Sequence, residues 1–153
     1  MNIIKLSKNN VKDLVKLHKR CVKETNSFYY PPDAIEEWLD QITENNVEKQ
    51  MKNSTWYLAL EKDRLVAFAQ YSTEDGYLFQ INVHPKHQRK GIGKTLYGFV
   101  EDKFIKSKCK TIKLNATLNA VDFYKSVGFK KKKKILFPLD KTRLNMVSMI
   151  KHL

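Results

Sequence analysis

The stretch from Tyr77 to Phe104 constrains this chain more than any other. Tyr77-Leu78-Phe79-Gln80-Ile81-Asn82-Val83 is aromatic and β-branched and predicts a strand. Ile92, Leu96, Phe99, Val100 and Phe104 recur at helical spacing and predict a helix from Gly91 to about Lys106. The segment between them is a strand-to-helix turn, broken by Pro85 and carrying Gly91 and Gly93. Glycine lets the backbone approach a ligand closely. The first N–H groups of a helix have no partner within it, and the helix dipole adds positive potential there. Such a turn is an anion site, and Arg89, Lys90 and Lys94 add charge at the same place.

Three loop patterns compete for it. A P-loop requires Gly-x-x-x-x-Gly-Lys-Ser/Thr, and Gln88 stands where the first glycine belongs. A dinucleotide fingerprint requires Gly-x-Gly-x-x-Gly, and Leu96 occupies the third glycine position. The pattern Gln/Arg-x-x-Gly-x-Gly/Ala is met in full by Gln88-Arg89-Lys90-Gly91-Ile92-Gly93. That hexamer resembles the pyrophosphate loop of the GNAT superfamily of N-acetyltransferases. The bland alternative is a glycine-rich turn at a helix start.

A second motif follows at the spacing of one helix and one strand. Asn119-Ala120-Val121-Asp122-Phe123-Tyr124-Lys125-Ser126-Val127-Gly128-Phe129 is similar to the family signature Asn-x-x-x-Phe-Tyr-x-x-x-Gly-Phe at every fixed position. Two motifs in the right order are far more specific than either alone. The resemblance is firm over residues 55–151 and rests on the arrangement of elements over 1–54. It implies an α/β (α+β) GNAT fold: a mixed, mostly antiparallel central sheet of about seven strands with about four helices on its faces. It also implies a single domain over residues 1–153 and acetyl-CoA as co-substrate.

Carried residue by residue, the resemblance implies a cofactor site of two parts. Ile81, Asn82 and Val83 lie along the pantetheine arm, with Ile81 and Val83 bonding it through their main chain. Gln88, Arg89, Lys90, Gly91, Ile92, Gly93 and Lys94 cradle the pyrophosphate. Asn119 bonds the arm or a bridging water. Tyr124 is the catalytic residue, giving or sharing a proton with the departing thiolate. A backbone N–H near Ile81 is the natural oxyanion donor. Phe123 reads as core. No carboxylate stands on the strand 77–83 to act as base, and His84, beside Pro85, is a poor candidate.

Elsewhere the pattern predicts a strand at 2–6 and a helix capped by Asn9 or Asn10 that carries Val11, Leu14, Val15, Leu17, His18 and Val22. Residues 25–32 read as a loop stopped by two prolines, and Asp33 as the cap of a helix with Ile35, Trp38, Leu39 and Ile42 on one face. A short helical piece follows at about 47–51. Residues 56–60 and 65–71 form a hairpin, 111–114 a strand, 118–127 a helix, and the tail two strands near 129–136 and 144–151. Tyr29, Tyr30 and Trp38 are candidate acceptor-lining residues, although Trp38 also fits a core position.

The formal charge of +13 favours anionic partners. Seven of the sixteen acidic residues fall between Glu24 and Glu48, either as a wall facing a cationic acceptor or, the reading that leads, as solvated helix faces. Lys130 to Lys134 read first as a charged edge strand and second as a nucleic-acid contact. No interleaved basic and aromatic pattern of the common RNA modules is present, so nucleic acid is not the expected partner. Cys21 and Cys109 have neither metal-ligand spacing nor an export signal to favour a disulfide. With no long apolar run, the expectation is a cytoplasmic protein, monomer or homodimer, with no membrane partner and no metal. It transfers acetyl from acetyl-CoA to a primary amine of a small molecule or peptide in a ternary complex. The alternative is a non-catalytic acetyl-CoA-binding sensor or scaffold.

Overall fold

A computed structural model describes residues 1–153. Its elements are β1 (Asn2–Lys5), α1 (Val11–Glu24), α2 (Pro32–Gln41), α3 (Glu44–Gln50), β2 (Thr55–Glu61), β3 (Arg64–Ser72), β4 (Tyr77–Val83), α4 (Ile92–Lys106), β5 (Thr111–Thr117), α5 (Val121–Ser126), β6 (Lys130–Pro138) and β7 (Arg143–His152). The strands form one seven-stranded sheet in the order β1-β2-β3-β4-β5-β7-β6. Every neighbouring pair is antiparallel except β4 and β5, which α4 connects by a parallel crossover.

Alternation along the central strands sorts side chains onto two faces. Ala67, Ala69, Leu114 and Met149 pack with Ile92, Leu96, Val100 and Phe104 of α4 and with Val121 and Tyr124 of α5. On the other face, Leu58 and Phe68 pack with Leu14, Leu17 and Cys21 of α1 and Val47 of α3. A smaller cluster joins Val22, Tyr30, Ala34, Ile35, Ile42 and Leu144 and seats α2 beside β7.

The pair β4–β5 opens almost at once. Tyr77 opposite Lys113 is its only bridge. Just beyond, the β3–β4 register jumps from Tyr71↔Leu78 to Gln70↔Gln80, which leaves Phe79 as an extra residue on β4. A bulge bends the strand that carries it and increases its local twist. β4 therefore turns away from β5, while β5 stays paired with β7 along its whole length, from Thr111↔His152 to Thr117↔Met146. The result is a V-shaped gap in the middle of the sheet.

Several boundaries differ from the sequence expectation. The five α-helices fall where five helical segments are expected from the sequence, with shifted ends. Asp33 does not cap α2: Pro31 is the capping residue, Pro32 opens the helix, and Asp33 Oδ1 accepts from the next N–H, that of Ala34, at 2.9 Å. Proline suits that first position because its missing N–H would be unpaired there anyway. Asn10 precedes α1 without a side-chain cap, because its Oδ1 accepts from Ser7 Oγ at 2.8 Å instead. The helix expected from Leu118 starts as a 3-10 turn, Leu118–Ala120, and becomes α-helical at Val121. The lysine run lies on β6, the outer strand, where all five lysines are exposed.

A partly buried ion pair locks α4, α5 and β7 together behind the gap. Lys151 Nζ donates to Glu101 Oε2 and, at 2.7 Å, to the Val127 carbonyl just past α5. Tyr97 donates its hydroxyl to the same Glu101 oxygen at 2.5 Å. Burial alone would raise the Glu101 carboxyl, but the Lys151 ammonium and the Tyr97 hydroxyl outweigh it and hold it below the usual carboxylate range. A depressed carboxyl stabilises the fold above its unfolded value of about 4.3 and loses that contribution as the pH falls through the native value. Lys151→Met should therefore cost about 1–2 kcal/mol at pH 7 by urea unfolding. The deficit should shrink between about pH 5 and 3. Equal deficits at both ends would show that the pair carries none of the acid dependence.

Candidate active site

The loop after β4 is braced before it is charged. His84 Nδ1 accepts from the Lys86 N–H at 3.0 Å and caps the turn Pro85–His87, which occupies that nitrogen. Gln88 Nε2 donates to the Val83 carbonyl at 3.2 Å and to Thr25 Oγ1 at 3.1 Å, tying the loop to β4 and to the end of α1. Arg89 at φ +65° and Gly91 at φ +82° then turn the chain into α4. The first helical bond of α4 runs from the Thr95 N–H to the Gly91 carbonyl at 3.0 Å. The N–H groups of Ile92, Gly93 and Lys94 thus have no helical acceptor and face the turn as a preformed anion site. No acidic residue stands in that first turn. Arg89, Lys90 and Lys94 are exposed, so water screens much of their attraction.

The open edge of β4 lies next to it. The His84 N–H bonds the Val66 carbonyl at 2.7 Å, which sets the phase of the β3–β4 ladder. In an antiparallel pair the bonding residues alternate, so residues 80, 82 and 84 bond β3. The main-chain groups of Ile81 and Val83 point the other way, into the gap. The Val83 carbonyl already accepts Cys21 Sγ at 3.5 Å as well as Gln88.

α5 sets Tyr124 against this gap. Its ring packs edge-on to Phe123 and Phe129 at centroid separations of 5.3 and 5.6 Å. Burial pushes its hydroxyl well above the ordinary phenol value, against the opposing pull of the Ile81 amide. The group is therefore protonated at neutral pH and is a donor, not a base. Gly128, at φ +105°, ends the helix, and the Phe129 N–H closes onto the Tyr124 carbonyl at 3.0 Å. Asn119 Oδ1 accepts from Asn26 Nδ2 at 2.8 Å, which fixes its carboxamide beside the gap.

A cleft of about 280 Å³ opens through the gap toward α1, α2 and α3. Tyr124, Ile81, Asn82 and Asn119 line it together with His18, Trp38, Trp56, Gln70, Phe79 and Gln80. No Asp, Glu, Lys or Arg lines it. None of the seven carboxylates between Glu24 and Glu48 reaches the wall, in line with the solvated-face reading. Burial lowers the His18 imidazole to about 4, so it is neutral near pH 7 and a weak base.

The three aromatic acceptor candidates separate. Trp38 is half-buried: it lines the cleft and also packs on the core cluster of Tyr30, whose ring it meets edge-on at 5.9 Å. Tyr29 is exposed outside the cleft. Tyr30 is buried, donates to the Asn145 carbonyl at 2.5 Å and accepts from the Leu118 N–H at 3.1 Å. Its hydroxyl is spent on fixing the turn that carries Asn119. Sequence reasoning missed His18, Trp56, Gln70 and Gln80 as cleft residues. The one available signal was Gln70 interrupting an otherwise apolar strand; that it meets Gln80 follows only from strand register.

The comparisons with known proteins agree with this geometry. A family model described as acetyltransferase (GNAT) domain matches residues 27–153. An uncharacterized N-acetyltransferase of Pyropia yezoensis, ycf52, is 29% identical over 148 residues, which span 84% of this chain and 85% of that protein. A GCN5-related N-acetyltransferase from Rhodopseudomonas palustris superposes with a TM-score of 0.93 at 17% identity, covering 99% of this chain and 95% of its own. The PaiA N-acetyltransferase of Thermoplasma acidophilum, solved in complex with coenzyme A, gives 0.83 at 21% identity over 99% and 98% of the two chains.

The two glycines of the loop do different work. A Cβ on Gly91 would meet nothing within 4 Å, but its backbone is left-handed. A Cβ on Gly93 would stand 3.0 Å from Cε1 of Phe123, the neighbour of Tyr124. Gly91→Ala should cost about 1 kcal/mol through backbone strain alone. Gly93→Ala should cost about 1–3 kcal/mol by overpacking. In a Phe123→Leu background the same change should become neutral or stabilising, since alanine is the better helix former. Additive denaturation energies in this double-mutant cycle would rule out the contact.

Proposed function

The chain belongs to the GNAT acetyltransferase family, and from that premise we propose that it moves the acetyl group of acetyl-CoA directly to a primary amine while both are bound. The observation that carries the reading is the gap between β4 and β5. It has a protonated Tyr124 at its side, a free anion site at one end and a cleft at the other. Ile92, Gly93 and Lys94 would hold the pyrophosphate through backbone N–H groups, with Gln88 bracing the loop from behind. The outward main chain of Ile81 and Val83 would hold the pantetheine arm, with Asn82 and Asn119 flanking it.

The amine nitrogen bonds to the thioester carbon, and the carbon–sulfur bond breaks. The Ile81 N–H, which here reaches the Tyr124 hydroxyl, would turn to the oxygen on which negative charge develops. Tyr124 gives its hydroxyl hydrogen to the departing sulfur and receives the proton that the nitrogen sheds, so an amide and a thiol leave. The hydroxyl's raised pKa keeps it in the donor form throughout the neutral range.

One observation favours a second reading. The cleft holds neither a carboxylate nor a basic histidine to deprotonate the acceptor, as suits a module that binds acetyl-CoA without turning it over. Thiol release from acetyl-CoA against a panel of amines separates the two. Tyr124→Phe should lower kcat about 10²- to 10⁴-fold, with the Kd for acetyl-CoA unchanged within a factor of about two. Undiminished kcat in the variant would remove Tyr124 from the chemistry. No turnover of any amine by the native protein, with acetyl-CoA tightly bound, would favour the module.

A further inference from the structure

On the α1 face of the gap, a line of side chains has a fixed direction. Ser54 Oγ donates its only hydrogen to the Gln50 carbonyl at 2.6 Å and accepts from Trp56 Nε1, which can only donate, at 3.1 Å. The remaining lone pair accepts Gln70 Nε2 at 3.0 Å, so Gln70 must turn its Oε1 the other way. That oxygen accepts Gln80 Nε2 at 2.9 Å, and Gln80 Oε1 accepts Asn82 Nδ2 at 2.7 Å. Each amide orientation follows from the one before it, and the serine and tryptophan anchor the first. The line ends on Asn82 Oδ1, an acceptor with no hydrogen-bond partner, in the wall of the cleft.

That oxygen is uncharged, and so is everything around it. The wall offers an ammonium group carboxamides and aromatic faces but no opposite charge, and that group's hydration is costly to strip without one. A neutral amine instead needs one thing from the protein, an oxygen that accepts an N–H and leaves the nitrogen lone pair free to attack. Beyond the amine, the cleft offers further carboxamides, Asn46 and Asn115 among them, and an apolar side formed by Phe137 and Leu144. It also offers the edge of β5 past Lys113, which has no strand partner on the β4 side and of which the Tyr77 hydroxyl takes only the Asn115 amide. Unpaired strand backbone, amide side chains and an apolar wall are complementary to a short extended peptide.

We propose that the acceptor is the uncharged α-amine at the start of a peptide with neutral leading residues, held by Asn82 Oδ1, and that polycationic amines are rejected. This rests on the acetyltransfer reading above. An α-amine titrates near 7.7–8.0 and a lysine amine near 10.4, so at equal concentration the α-amine supplies ~300-fold more of the neutral form.

The test uses the full chain saturated with acetyl-CoA at pH 7.5 and four acceptors. They are a hexapeptide with a free amine and uncharged leading residues, the same peptide N-blocked with an internal lysine, spermidine and glucosamine. The expected result is a kcat/KM at least ~100-fold higher for the free α-amine than for the lysine amine or spermidine. Asn82→Ala should raise KM for the peptide at least tenfold at saturating acetyl-CoA. Asn82→Asp should shift preference toward spermidine, because a carboxylate replaces the neutral oxygen. Binding is read separately, without turnover, from tryptophan fluorescence with coenzyme A present, since both tryptophans of the chain, Trp38 and Trp56, line the cleft. Equal or better turnover of spermidine, lysine or glucosamine overturns the inference and leaves the acetyltransfer reading standing. So does an unchanged peptide KM in Asn82→Ala. No turnover of any acceptor, with acetyl-CoA bound, overturns both.

Discussion

A single parallel bridge, Tyr77 opposite Lys113, holds the two halves of the sheet together before they part. Everything functional depends on their parting at that point. Had β4 and β5 stayed paired, the main-chain groups of Ile81 and Val83 would be spent on a neighbour, as buried backbone groups almost always are. The bulge at Phe79 prevents this by bending β4 two residues past the bridge. The cost is a stretch of backbone without a strand partner in the middle of a sheet, met only in part by Cys21 and Gln88 at the Val83 carbonyl and by Tyr124 at the Ile81 N–H. It is tolerable only because a ligand or water can reach the gap.

Such a gap must be held open by what surrounds it. On one side the Phe123 ring sits against Gly93, so the first turn of α4 and the helix of Tyr124 are placed by one contact. The Glu101–Lys151 pair fastens the far end of α5 to α4 and β7. On the other side Tyr30 grips both β7 and the turn before α5. The two signature stretches are thus mechanically one unit. Gly93, in the loop, serves packing against Phe123, while the left-handed turn itself is made by Arg89 and Gly91.

Much of this was legible in the residues. Hydrophobic spacing located α4, and alternation located β3 and β4, because both elements bury a regular face. The loop and the Asn119–Phe129 stretch announced a fold whose order of elements the structure follows. Asp33 was misread because a capping residue type stood one place after the true helix start, where a pair of prolines had already set the backbone. Trp38 meets both of its readings, core and cleft wall, and helical periodicity cannot tell a wall facing protein from a wall facing a cleft. Gln70 and Gln80 were invisible as a pair because only strand register brings them together. No carboxylate lines the cleft, and the directed line of amides along its wall has no sequence signature.

The charge of the molecule and the neutrality of its cleft make a consistent pair. A net +13 gives a surface field that draws anions in and repels cations, within a Debye length of about 8 Å at physiological salt. A coenzyme carrying several phosphates gains from that field and ends on helix N–H groups that need no further charge. A polycationic acceptor would be opposed twice, first by the field at encounter and then by a wall with no carboxylate to receive it. A neutral amine is indifferent to the field and is sorted by hydrogen-bond geometry alone. Charge at the surface and its absence inside the cleft therefore select in the same direction, one by approach and the other by fit.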